Sequence, residues 1–486
     1  MLLRKQEHFF LITFLPHFIN RNMSSSKSRR KFIQQMSGTA LALAAGNYVF
    51  ADAWQNRVDS YSKIISPNDK IRIATIGMGI MGFNDTNTAL KVPGTELVAV
   101  ADLYNGRLER AKEVYGAQIQ TTRDYREILQ RKDIDAVIVA TADLWHAKIS
   151  IDALKAGKHV YCEKPMVKQL SEGLPVIDAW KKSGKTMEIG SQRVSAIAIL
   201  KAREAIKNGM IGQLSVVVAN TDRQSALGAW EYTMPPDASP QTVDWKRYTE
   251  GMRDQPWDPK KFFWWRNYRD FGTGVAGDLF VHLISGINVI TDSKGPNKIY
   301  ASGQLCYWKD GRDVPDVMAG VIQYPKTDTH PEFQVMLRVD FISGNNESGG
   351  TQFIGSEGVL TLSGDSFTIR RHKMSKAPGI GGWDALETYP KKMQEELLKA
   401  YNQKWSAEDQ KDISEPDFVF SAPEGSDDHL EHFGHFFDGV RNNTPVVENP
   451  EFGFRACAPC LAANESYYKN EIIRWDPVTM KRVTAL

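Results

Sequence analysis

The sequence predicts an α/β protein with a doubly wound parallel sheet in its N-terminal part and a second sheet further along. Two observations lead to this fold class. From Lys70 to about Gly190, apolar runs of strand length alternate with helical segments at the short spacing typical of parallel sheets. From Lys298 onward, the strand-like runs alternate between polar and apolar residues, as in a sheet with one covered face. We therefore expect a first domain over residues 68–190 and a second over residues 191–486.

The size and charge of the chain exclude several classes of protein. Its 486 residues suffice for two or three domains and a large core. Its 60 basic and 58 acidic side chains leave a net charge of +2, which provides no electrostatic basis for binding nucleic acid. Its four cysteines are too few for a disulfide scaffold.

The N-terminal residues have the pattern of a targeting segment. Arg29 and Arg30 precede a moderately apolar stretch of small residues, which predicts a twin-arginine export signal over residues 23–53. A disordered basic tail is the alternative. Residues 1–22 resemble nothing that such a signal needs, so we interpret them as a start-site overrun and Met23 as the true start. The apolar stretch is too short for a comfortable membrane span, so we predict a periplasmic protein without a stable membrane anchor.

A glycine-rich turn follows the first predicted strand, Ile71–Ile76. Three glycines stand there in G-x-G-x-x-G spacing and open a helix. The first permits a tight turn, the second lets the backbone approach a pyrophosphate, and the third lets the helix pack close to its strand. This arrangement predicts a Rossmann dinucleotide site, the alternative being a glycine turn without a ligand. The residues of this turn expected to contact the dinucleotide are Gly77, Gly79, Ile80, Met81 and Gly82.

An acidic residue ends the next predicted strand. The strand Glu96–Ala101 is followed by Asp102, which lies 20 residues beyond Gly82. A carboxylate in this place hydrogen-bonds the adenosine ribose and repels a 2′-phosphate. The sequence therefore predicts NAD as the cofactor, with NADP less favoured.

The remaining parallel strands run into polar residues. The predicted elements are helices over Arg107–Tyr115, Tyr125–Gln130 and Ala147–Ala156 and strands over Ala136–Ala140, Lys158–Cys162 and Thr186–Gly190. Ligands bind at the carboxyl edge of such a sheet, so Thr141, His146, Glu163 and Lys164 are further candidates for cofactor contacts. Pro165 fixes the turn and holds Lys164 rigidly, where its ammonium could hydrogen-bond a substrate hydroxyl. Considered alone, Lys164 could equally be a surface cation.

A family resemblance emerges from these motifs. The glycine turn, the Trp145-His146 segment and the stretch AGKHVYCEKP are similar to the glucose–fructose oxidoreductase and inositol dehydrogenase (Gfo/Idh/MocA) family, and the resemblance begins at Asn68. It implies a Rossmann domain followed by an α/β domain with an open-faced, mainly antiparallel sheet. That sheet supports the substrate pocket in this family and often mediates oligomer contacts, so the resemblance implies a homodimer or homotetramer.

A second set of chemical groups opens a later helix, which we expect to start after Gly272 and continue through Val289. Asp278 and His282 are four residues apart, so they project from one helix face. Read alone, they fit a capping carboxylate and a core histidine. The resemblance instead implies that Lys164, Asp278 and His282 form the catalytic group. Weaker candidates, for contacts with substrate, are Gln192, Trp265, Arg266 and Tyr268.

The rest of the second-domain sequence indicates secondary structure but little about function. A helix over Ala196–Asn208 and strands over Leu214–Asn220, Lys298–Trp308, Val317–Tyr324, Phe333–Phe341 and Val359–Leu362 are predicted. Thr221–Phe271 is long, loop-like and rich in tryptophan, and residues 374–428 resemble a variable insertion with one helix, Pro390–Asn402. A late helix carries His429, His432 and His435, which we interpret as a solvent-exposed face and not as a metal site. We interpret Cys457 and Cys460 as structural cysteines, the alternative in an exported protein being a short-range disulfide between them.

Together these features predict an oxidoreductase that acts on a hydroxyl of a sugar, polyol or cyclitol. His282 would remove the hydroxyl proton while Lys164 and Asp278 position the substrate. A periplasmic enzyme has no general NAD pool, so we expect the cofactor to be tightly bound. The first alternative is a redox-neutral, NAD-dependent glycosidase or lyase that acts through a keto-sugar. The second is a non-catalytic sugar- or dinucleotide-binding protein.

Overall fold

The computed structural model describes residues 70–344 and 348–483. The start-site overrun predicted over residues 1–22 and the export signal predicted over residues 23–53 lie outside these ranges. In the part of the chain that is described, no helix combines the length and the apolar composition that crossing a bilayer requires.

The first domain contains a parallel sheet, as predicted, and it has six strands, of which the sequence did not indicate the short strand Gln120–Thr122. Its strands are β1 (Ile71–Ile76), β2 (Thr95–Ala101), β3 (Gln120–Thr122), β4 (Ala136–Val139), β5 (His159–Glu163) and β6 (Met187–Gly190). Their order in the sheet is β3-β2-β1-β4-β5-β6, and every pairing is parallel. This is the strand order of a doubly wound dinucleotide-binding sheet. The helices that connect the strands are α1 (Ile80–Lys91), α2 (Asn105–Tyr115), α3 (Tyr125–Gln130), α4 (His146–Lys155) and α5 (Leu170–Ser183).

The composition of the central strands explains this arrangement. All four residues of β4 are buried, and so are five of the six residues of β1. A parallel sheet with helices on both faces requires such continuous apolar strands. The switch in strand order between β1 and β4 opens a crevice at the carboxyl ends of these two strands, where ligands bind in folds of this type.

The second domain contains a larger, mainly antiparallel sheet. Its strands are β7 (Leu214–Asp222), β8 (Lys298–Gln304), β9 (Val317–Tyr324), β10 (Phe333–Asp340), β11 (Ser348–Gly355), β12 (Gly358–Ser363), β13 (Ser366–Lys373), β14 (Ile413–Ser414), β15 (Phe418–Ser421), β16 (Ile473–Asp476) and β17 (Lys481–Arg482). Their order is β14-β13-β12-β11-β7-β10-β9-β8-β16-β17, with β15 beside β13. Only β7 and β10 pair in parallel among the recorded ladders of these strands. Buried and exposed residues alternate along β9 and β10, which confirms a sheet with one covered and one open face.

The second domain also contains helices. They are α6 (Ile197–Lys207), α7 (Trp245–Tyr248), α8 (Pro259–Phe263), α9 (Val281–Thr291), α10 (Lys391–Lys404), α11 (Asp428–Asn442) and α12 (Pro450–Lys469). Helix α12 packs on β8 of the large sheet and also on α5 and β6 of the first domain. Cys457 and Cys460 are buried free thiols on α12, in agreement with the predicted structural role.

Residues 223–271, here called the crossing segment, connect the large sheet to the first domain. The sequence predicts a loop-like region, and the structure adds the short helices α7 and α8. Asn105 N donates to Thr242 O at 3.0 Å, and Asp244 N donates to Leu103 O at 2.9 Å. The indole Nε1 of Trp145 donates to Tyr248 O at 3.0 Å. The crossing segment is therefore fastened to the cofactor domain along its length.

Residues 374–428, predicted as an insertion, contribute both a helix and sheet strands. The predicted helix is present as α10, and all its residues are at least partly exposed. The two strands β14 and β15 also lie in this range and pair with β13. They were missed because each is short, and a strand of two to four residues leaves no measurable alternation in the sequence.

The prediction of a solvent-exposed histidine face on α11 is wrong for His432. This side chain is completely buried. Its Nε2 is 2.8 Å from Ile189 O and its Nδ1 is 2.8 Å from Ser195 Oγ. His429 lies beside the buried carboxyl of Asp85, with Nε2 2.9 Å from Oδ1. The helix packs this face against the first domain, so the i, i+3 spacing marks a buried stripe.

His432 should make the protein less stable in acid. Burial lowers the pKa of His432 to about 3, and burial also raises the pKa of Glu188, whose Oε1 lies 3.6 Å from Nδ1. Between pH 6.5 and 3 the folded state therefore binds fewer protons at His432 than the unfolded state, and the free energy of unfolding falls as the pH falls.

The variant H432Q should lack this acid sensitivity. Below pH 6.5, the stability advantage of the wild-type protein over H432Q should shrink by up to about 1.4 kcal/mol per pH unit. Urea unfolding of both proteins at several pH values measures the difference, and contributions from other histidines cancel in the comparison. Parallel stability curves would show that His432 is not neutral in the folded protein.

Candidate active site

A cavity of about 350 Å³ lies between the two domains and collects most of the predicted site residues. From the first domain it is lined by Gly77, Gly79, Ile80, Met81, Asp102, Thr141, His146, Glu163 and Lys164. From the second domain it is lined by Gln192, Trp265, Arg266, Asp278 and His282. The cavity opens at the carboxyl ends of the parallel strands, as the fold class requires.

The geometry of the glycine turn fits a dinucleotide. Gly77 has φ +93°, and a Cβ added there would lie 2.6 Å from Ala140 O. A Cβ on Gly82 would lie 1.9 Å from Gly77 O, which explains why the third glycine must be bare although it does not line the cavity. A Cβ on Gly79 would meet nothing closer than Arg107 Cζ at 4.0 Å. The absence of a side chain at Gly79 therefore serves a ligand and not the packing of the protein.

Asp102 is held firmly at the cofactor end of the cavity. Its Oδ2 accepts a hydrogen bond from Met78 N at 2.7 Å and its Oδ1 accepts one from Tyr104 N at 2.9 Å. Arg107, which the sequence did not single out, places Nη1 3.6 Å from Oδ2 and also lines the cavity. The guanidinium lies 5.6 Å from the centroid of the Phe263 ring, so a flat cationic surface adjoins the carboxylate.

The crossing segment closes the cofactor end of the cavity. It contributes Arg247, Tyr248, Phe262 and Phe263 to the lining. Tyr248 stacks on Phe271 with ring centroids 5.2 Å apart, so the aromatic side chains of this segment form a packed wall. Sequence periodicity could not reveal these residues because the segment has neither a helical nor a strand repeat.

The ring nitrogens of His146 lie close to backbone carbonyls of two neighbouring turns. Its ring is almost completely buried, with Nδ1 2.8 Å from Pro165 O and Nε2 3.1 Å from Thr141 O. These two carbonyls belong to the turns that follow β4 and β5. His146 therefore ties together the two turns that deliver Thr141 and Lys164 to the cavity, a positioning role in addition to the predicted cofactor contact.

Lys164, Asp278 and Arg266 form a connected charged group. The Nζ of Lys164 lies 3.1 Å from Asp278 Oδ1 and 3.1 Å from the backbone oxygen of the same residue. The Nε of Arg266 donates to that Oδ1 at 3.0 Å. Burial alone raises the pKa of Asp278, but the charges of Lys164 and Arg266 outweigh burial and lower the pKa below its ordinary value. Asp278 is therefore an ionised carboxylate that fixes both cations.

His282 lies in the same cavity and is neutral at physiological pH. Desolvation in the cavity lowers the pKa of His282 to about 3, and the positive charge of Lys164 contributes to the shift. A neutral imidazole can accept a proton, which is the property that a general base needs. The structure thus brings Lys164 together with Asp278, which lies 114 residues further along the chain, and with His282, which follows Asp278 in the next turn.

Asp278 sits on an irregular turn. The sequence predicts one continuous helix from about Gly272, whereas Ala276–Phe280 forms a π-helical turn that leads into α9. Each backbone bond in a π-turn spans one residue more than in an α-helix, which changes the direction of side chains along the element. Asp278 and His282 nevertheless both line the cavity, as their predicted spacing required.

Glu163 and Gln192 form a neutral pair behind Lys164. Burial raises the pKa of Glu163 to about 8, so this carboxyl is mostly protonated at neutral pH. Gln192 Nε2 lies 2.6 Å from Glu163 Oε1 and 3.1 Å from Tyr161 Oη. Gln192 was predicted to contact substrate, and the structure shows that its amide nitrogen is occupied with these two partners.

Tyr268 does not join the other candidates. Its side chain is only 7% exposed, and it is not part of the cavity lining. Burial is the main cause that raises the pKa of Tyr268, and the charges of Asp258 and Asp310, which do not line the cavity, add to it. Tyr268 follows a 3₁₀ turn over Trp265–Asn267, and of the two residues Arg266 and Tyr268 only Arg266 lines the cavity. A substrate contact by Tyr268 therefore has no support in this geometry.

The cavity also contains residues that the sequence did not indicate. Arg223, Trp230 and Tyr232, all from the start of the crossing segment, line it together with Arg266. Trp265 lies beneath Arg266, with the guanidinium carbon 4.2 Å from the centroid of its ring. These residues form the end of the cavity that holds Asp278 and His282, here called the substrate end.

Comparison with known proteins agrees with this arrangement. Residues 71–191 match the model of GFO_IDH_MocA, an oxidoreductase family with an NAD-binding Rossmann fold. Inositol 2-dehydrogenase of Salmonella typhimurium is 32% identical over 145 residues, which are 29% of this chain and 43% of that protein. A protein of Shewanella baltica named glycosyl hydrolase family 109 protein is 28% identical over 202 residues, 38% of this chain and 44% of that protein. The chain thus matches less than half the length of these relatives.

The structural likeness extends over both domains. Levoglucosan dehydrogenase, solved in a complex with NADH and levoglucosan, superimposes with a TM-score of 0.58 at 17% identity and covers 83% of this chain and 99% of its own. A myo-inositol dehydrogenase described from Sinorhizobium meliloti gives a TM-score of 0.54 at 16% identity, over 83% of this chain and 99% of its own. At this identity the likeness concerns the fold. The match to the GFO_IDH_MocA model is confined to residues 71–191, and the described chain as a whole shares the two-domain fold of these solved structures.

Proposed function

We propose that this protein is an NAD-dependent oxidoreductase that acts on a hydroxyl group of a sugar, polyol or cyclitol. The observation that carries this proposal is a single cavity that joins the glycine turn of the dinucleotide domain to Lys164, Asp278 and His282. The names of the relatives, an inositol dehydrogenase and a levoglucosan dehydrogenase, support the same class of substrate.

Each side chain at the substrate end has a different role in the proposed reaction. NAD, when bound, supplies a hydride acceptor for the carbon that carries the hydroxyl. The neutral imidazole of His282 accepts the hydroxyl proton. The ammonium of Lys164 donates a hydrogen bond to the substrate oxygen and stabilises its developing negative charge. Asp278 orients Lys164, since its carboxylate and its backbone oxygen both accept from Nζ.

Several features support NAD as the cofactor and its tight retention. The carboxylate of Asp102 faces the cavity, where it would accept from a ribose hydroxyl and repel a 2′-phosphate. The contacts of the crossing segment with Leu103 and Asn105 lie beside this carboxylate. Release of a dinucleotide would have to disturb these contacts, which favours slow dissociation.

We also propose export by the twin-arginine route to the periplasm, and a homodimer or homotetramer formed through the open face of the large sheet.

The alternative is a redox-neutral glycosidase or lyase. One specific observation favours it: the match to the Shewanella baltica protein named for a glycosidase family covers 202 residues, more than the match to inositol 2-dehydrogenase. Such an enzyme would oxidise a glycoside transiently, eliminate the aglycone and reduce the product. The same residues would serve, because the first step is again removal of a proton from a hydroxyl by His282.

The dinucleotide content of the purified protein should show which cycle operates. The full chain is expressed with its N-terminal segment, purified without added nucleotide, and denatured before and after dialysis. Mass spectrometry of the released material should identify NAD(H), near-stoichiometric and resistant to dialysis. NAD that washes away would instead indicate a conventional dehydrogenase. Release of NADP would contradict the role of Asp102, and failure to bind added NAD would overturn the proposed function.

The glycosidase alternative has its own readout. Cleavage of a nitrophenyl glycoside by the NAD-loaded protein, with no net accumulation of reduced cofactor, would favour the redox-neutral cycle. Net reduction of bound NAD by a free sugar or cyclitol, without cleavage of any glycoside, would favour the oxidoreductase.

A further inference from the structure

Positive charge exceeds negative charge at the substrate end of the cavity. Lys164, Arg223 and Arg266 bring three cations to its lining. The carboxylate of Asp278 forms ion pairs with two of them, Lys164 at 3.1 Å and Arg266 at 3.0 Å. The Asp278 carboxylate thus pairs directly with two of the three cations, and Arg223 is not one of these two partners.

The other two acidic groups nearby do not remove this excess. Burial raises the pKa of Glu163 to about 8, which leaves it mostly protonated at neutral pH. Burial also raises the pKa of Asp143, whose Oδ2 is occupied by the backbone N–H and the hydroxyl of Thr273. Glu163 is thus a poor counterion for a further cation in the cavity, and Asp143 Oδ2 is already bonded to Thr273.

Among the described residues, the groups that orient Arg223 are uncharged. It follows β7 directly, where its backbone N donates to Asp340 O at 2.8 Å. Its Nη1 donates to Gly228 O at 3.1 Å, and the guanidinium carbon lies 5.7 Å from the centroid of the Phe341 ring. Within residues 70–344 and 348–483, no carboxylate lies within ion-pair distance of this side chain. Its charge lowers the pKa of both Asp278 and His282, although by less than other nearby charges, so it acts on the substrate end.

A half-buried guanidinium beside a cavity is a recognition element for an anion. Partial burial of a cation without a counterion costs free energy, which a ligand of opposite charge recovers. The planar fork of an arginine matches a carboxylate, which it binds through two parallel hydrogen bonds. The ring of Tyr232, which also lines the cavity, offers apolar surface to a sugar ring.

We propose that the substrate is a sugar acid, such as a uronate, whose carboxylate is bound by Arg223 while Lys164 and His282 act on a ring hydroxyl. This inference rests on the proposed function, because it assigns the substrate class of the same site. It narrows that class from neutral sugars and cyclitols to anionic ones. It also predicts that binding of the carboxylate and the chemistry at the hydroxyl depend on different residues.

Matched pairs of sugars test the proposal through binding. The NAD-loaded full chain is titrated calorimetrically with D-glucuronate and D-glucose, and with D-galacturonate and D-galactose. The members of each pair differ only in a carboxylate or a hydroxymethyl group. In at least one pair the uronate should bind about 10- to 100-fold more tightly, as expected for a charge-assisted contact with arginine. Glucose 6-phosphate is the fifth ligand, and tighter binding of this phosphate than of both uronates would overturn the assignment to a sugar acid.

Three variants test whether Arg223 is responsible for the tighter binding of uronates. R223M should bring the affinity for the uronate close to that for the neutral sugar, and R223K should retain part of the preference. R110M is the matched control, because Arg110 lies on α2 with its side chain 63% exposed, outside the cavity lining. It should preserve the preference in full. A preference that survives in R223M would overturn the role of Arg223.

The same samples separate this inference from the proposed function. Reduction of bound NAD is followed by absorbance after each sugar is added. Equal binding within each pair, or no detectable binding of either uronate, overturns the inference even when a neutral sugar reduces NAD. Preferential binding of a uronate that is lost in R223M supports the anion site even when no sugar reduces NAD, an outcome that would count against the proposed oxidoreductase.

Discussion

Replacing His282 by Gln should lower kcat/KM about 10²- to 10⁴-fold while the affinity for NAD changes little. The neutral imidazole is positioned to accept the substrate proton, and general base catalysis contributes a factor of this size. Replacing Lys164 by Met should have a comparable effect, since the developing charge on the substrate oxygen would lose its donor. Steady-state kinetics with a competent substrate and calorimetric titration with NAD measure the two quantities.

The exposed residue His372 provides a matched control for the first variant. Its side chain on β13 is 60% exposed, so H372Q should leave both turnover and NAD binding unchanged. Loss of NAD binding in parallel with loss of turnover in H282Q would instead point to a folding defect. That result would remove His282 from the catalytic group.

Replacing Gly79 by Ala should weaken NAD binding by about 100-fold without altering the stability of the free protein. In the structure the added methyl group meets no atom closer than 4.0 Å, and φ of −77° suits alanine. A pyrophosphate at the N-terminus of α1 would, however, collide with that methyl group. Calorimetric titration with NAD and thermal unfolding without nucleotide measure the two effects.

Substitutions at two other glycines serve as comparisons for G79A. G82A should destabilise the free protein, because its Cβ would lie 1.9 Å from Gly77 O and α1 would have to move away from β1. G379A is the neutral control: no atom surrounds its added methyl group within 4 Å, and the residue lies far along the chain in residues 374–428. Normal affinity for NAD in G79A would contradict the position assigned to the pyrophosphate.

The first domain could be predicted from sequence because its signals are local. The apolar run Ile71–Ile76 was predicted to the residue, and the helix Tyr125–Gln130 likewise. The glycine spacing and Asp102 mark a turn whose steric requirements leave few alternatives. The large sheet was predicted in outline from alternation, but β11 was missed because Ser348–Gly355 has glycines at its second and third positions and lacks a regular apolar repeat.

The candidate site was predictable only in part, because its remaining members depend on long-range packing. Lys164, Asp278 and His282 were identified through a family resemblance, and their convergence is a property of the folded chain. Arg223 gave no signal, since a single arginine in a region without periodicity looks like surface. His432 gave a misleading signal, because an i, i+3 spacing is compatible with an exposed helix face and with a buried one.

The π-helical turn over Ala276–Phe280 makes the site sensitive to the number of residues as well as to their identity. A regular α-helix turns 100° per residue, so deleting one residue between Val275 and Phe280 would restore α-helical winding while rotating Asp278 relative to His282. Lys164 would then lose one or both of its oxygen partners, although every side chain named in the site was still present. In an alignment of related sequences, a gap of one position in this turn would therefore indicate an altered site, just as the substitution of a site residue would.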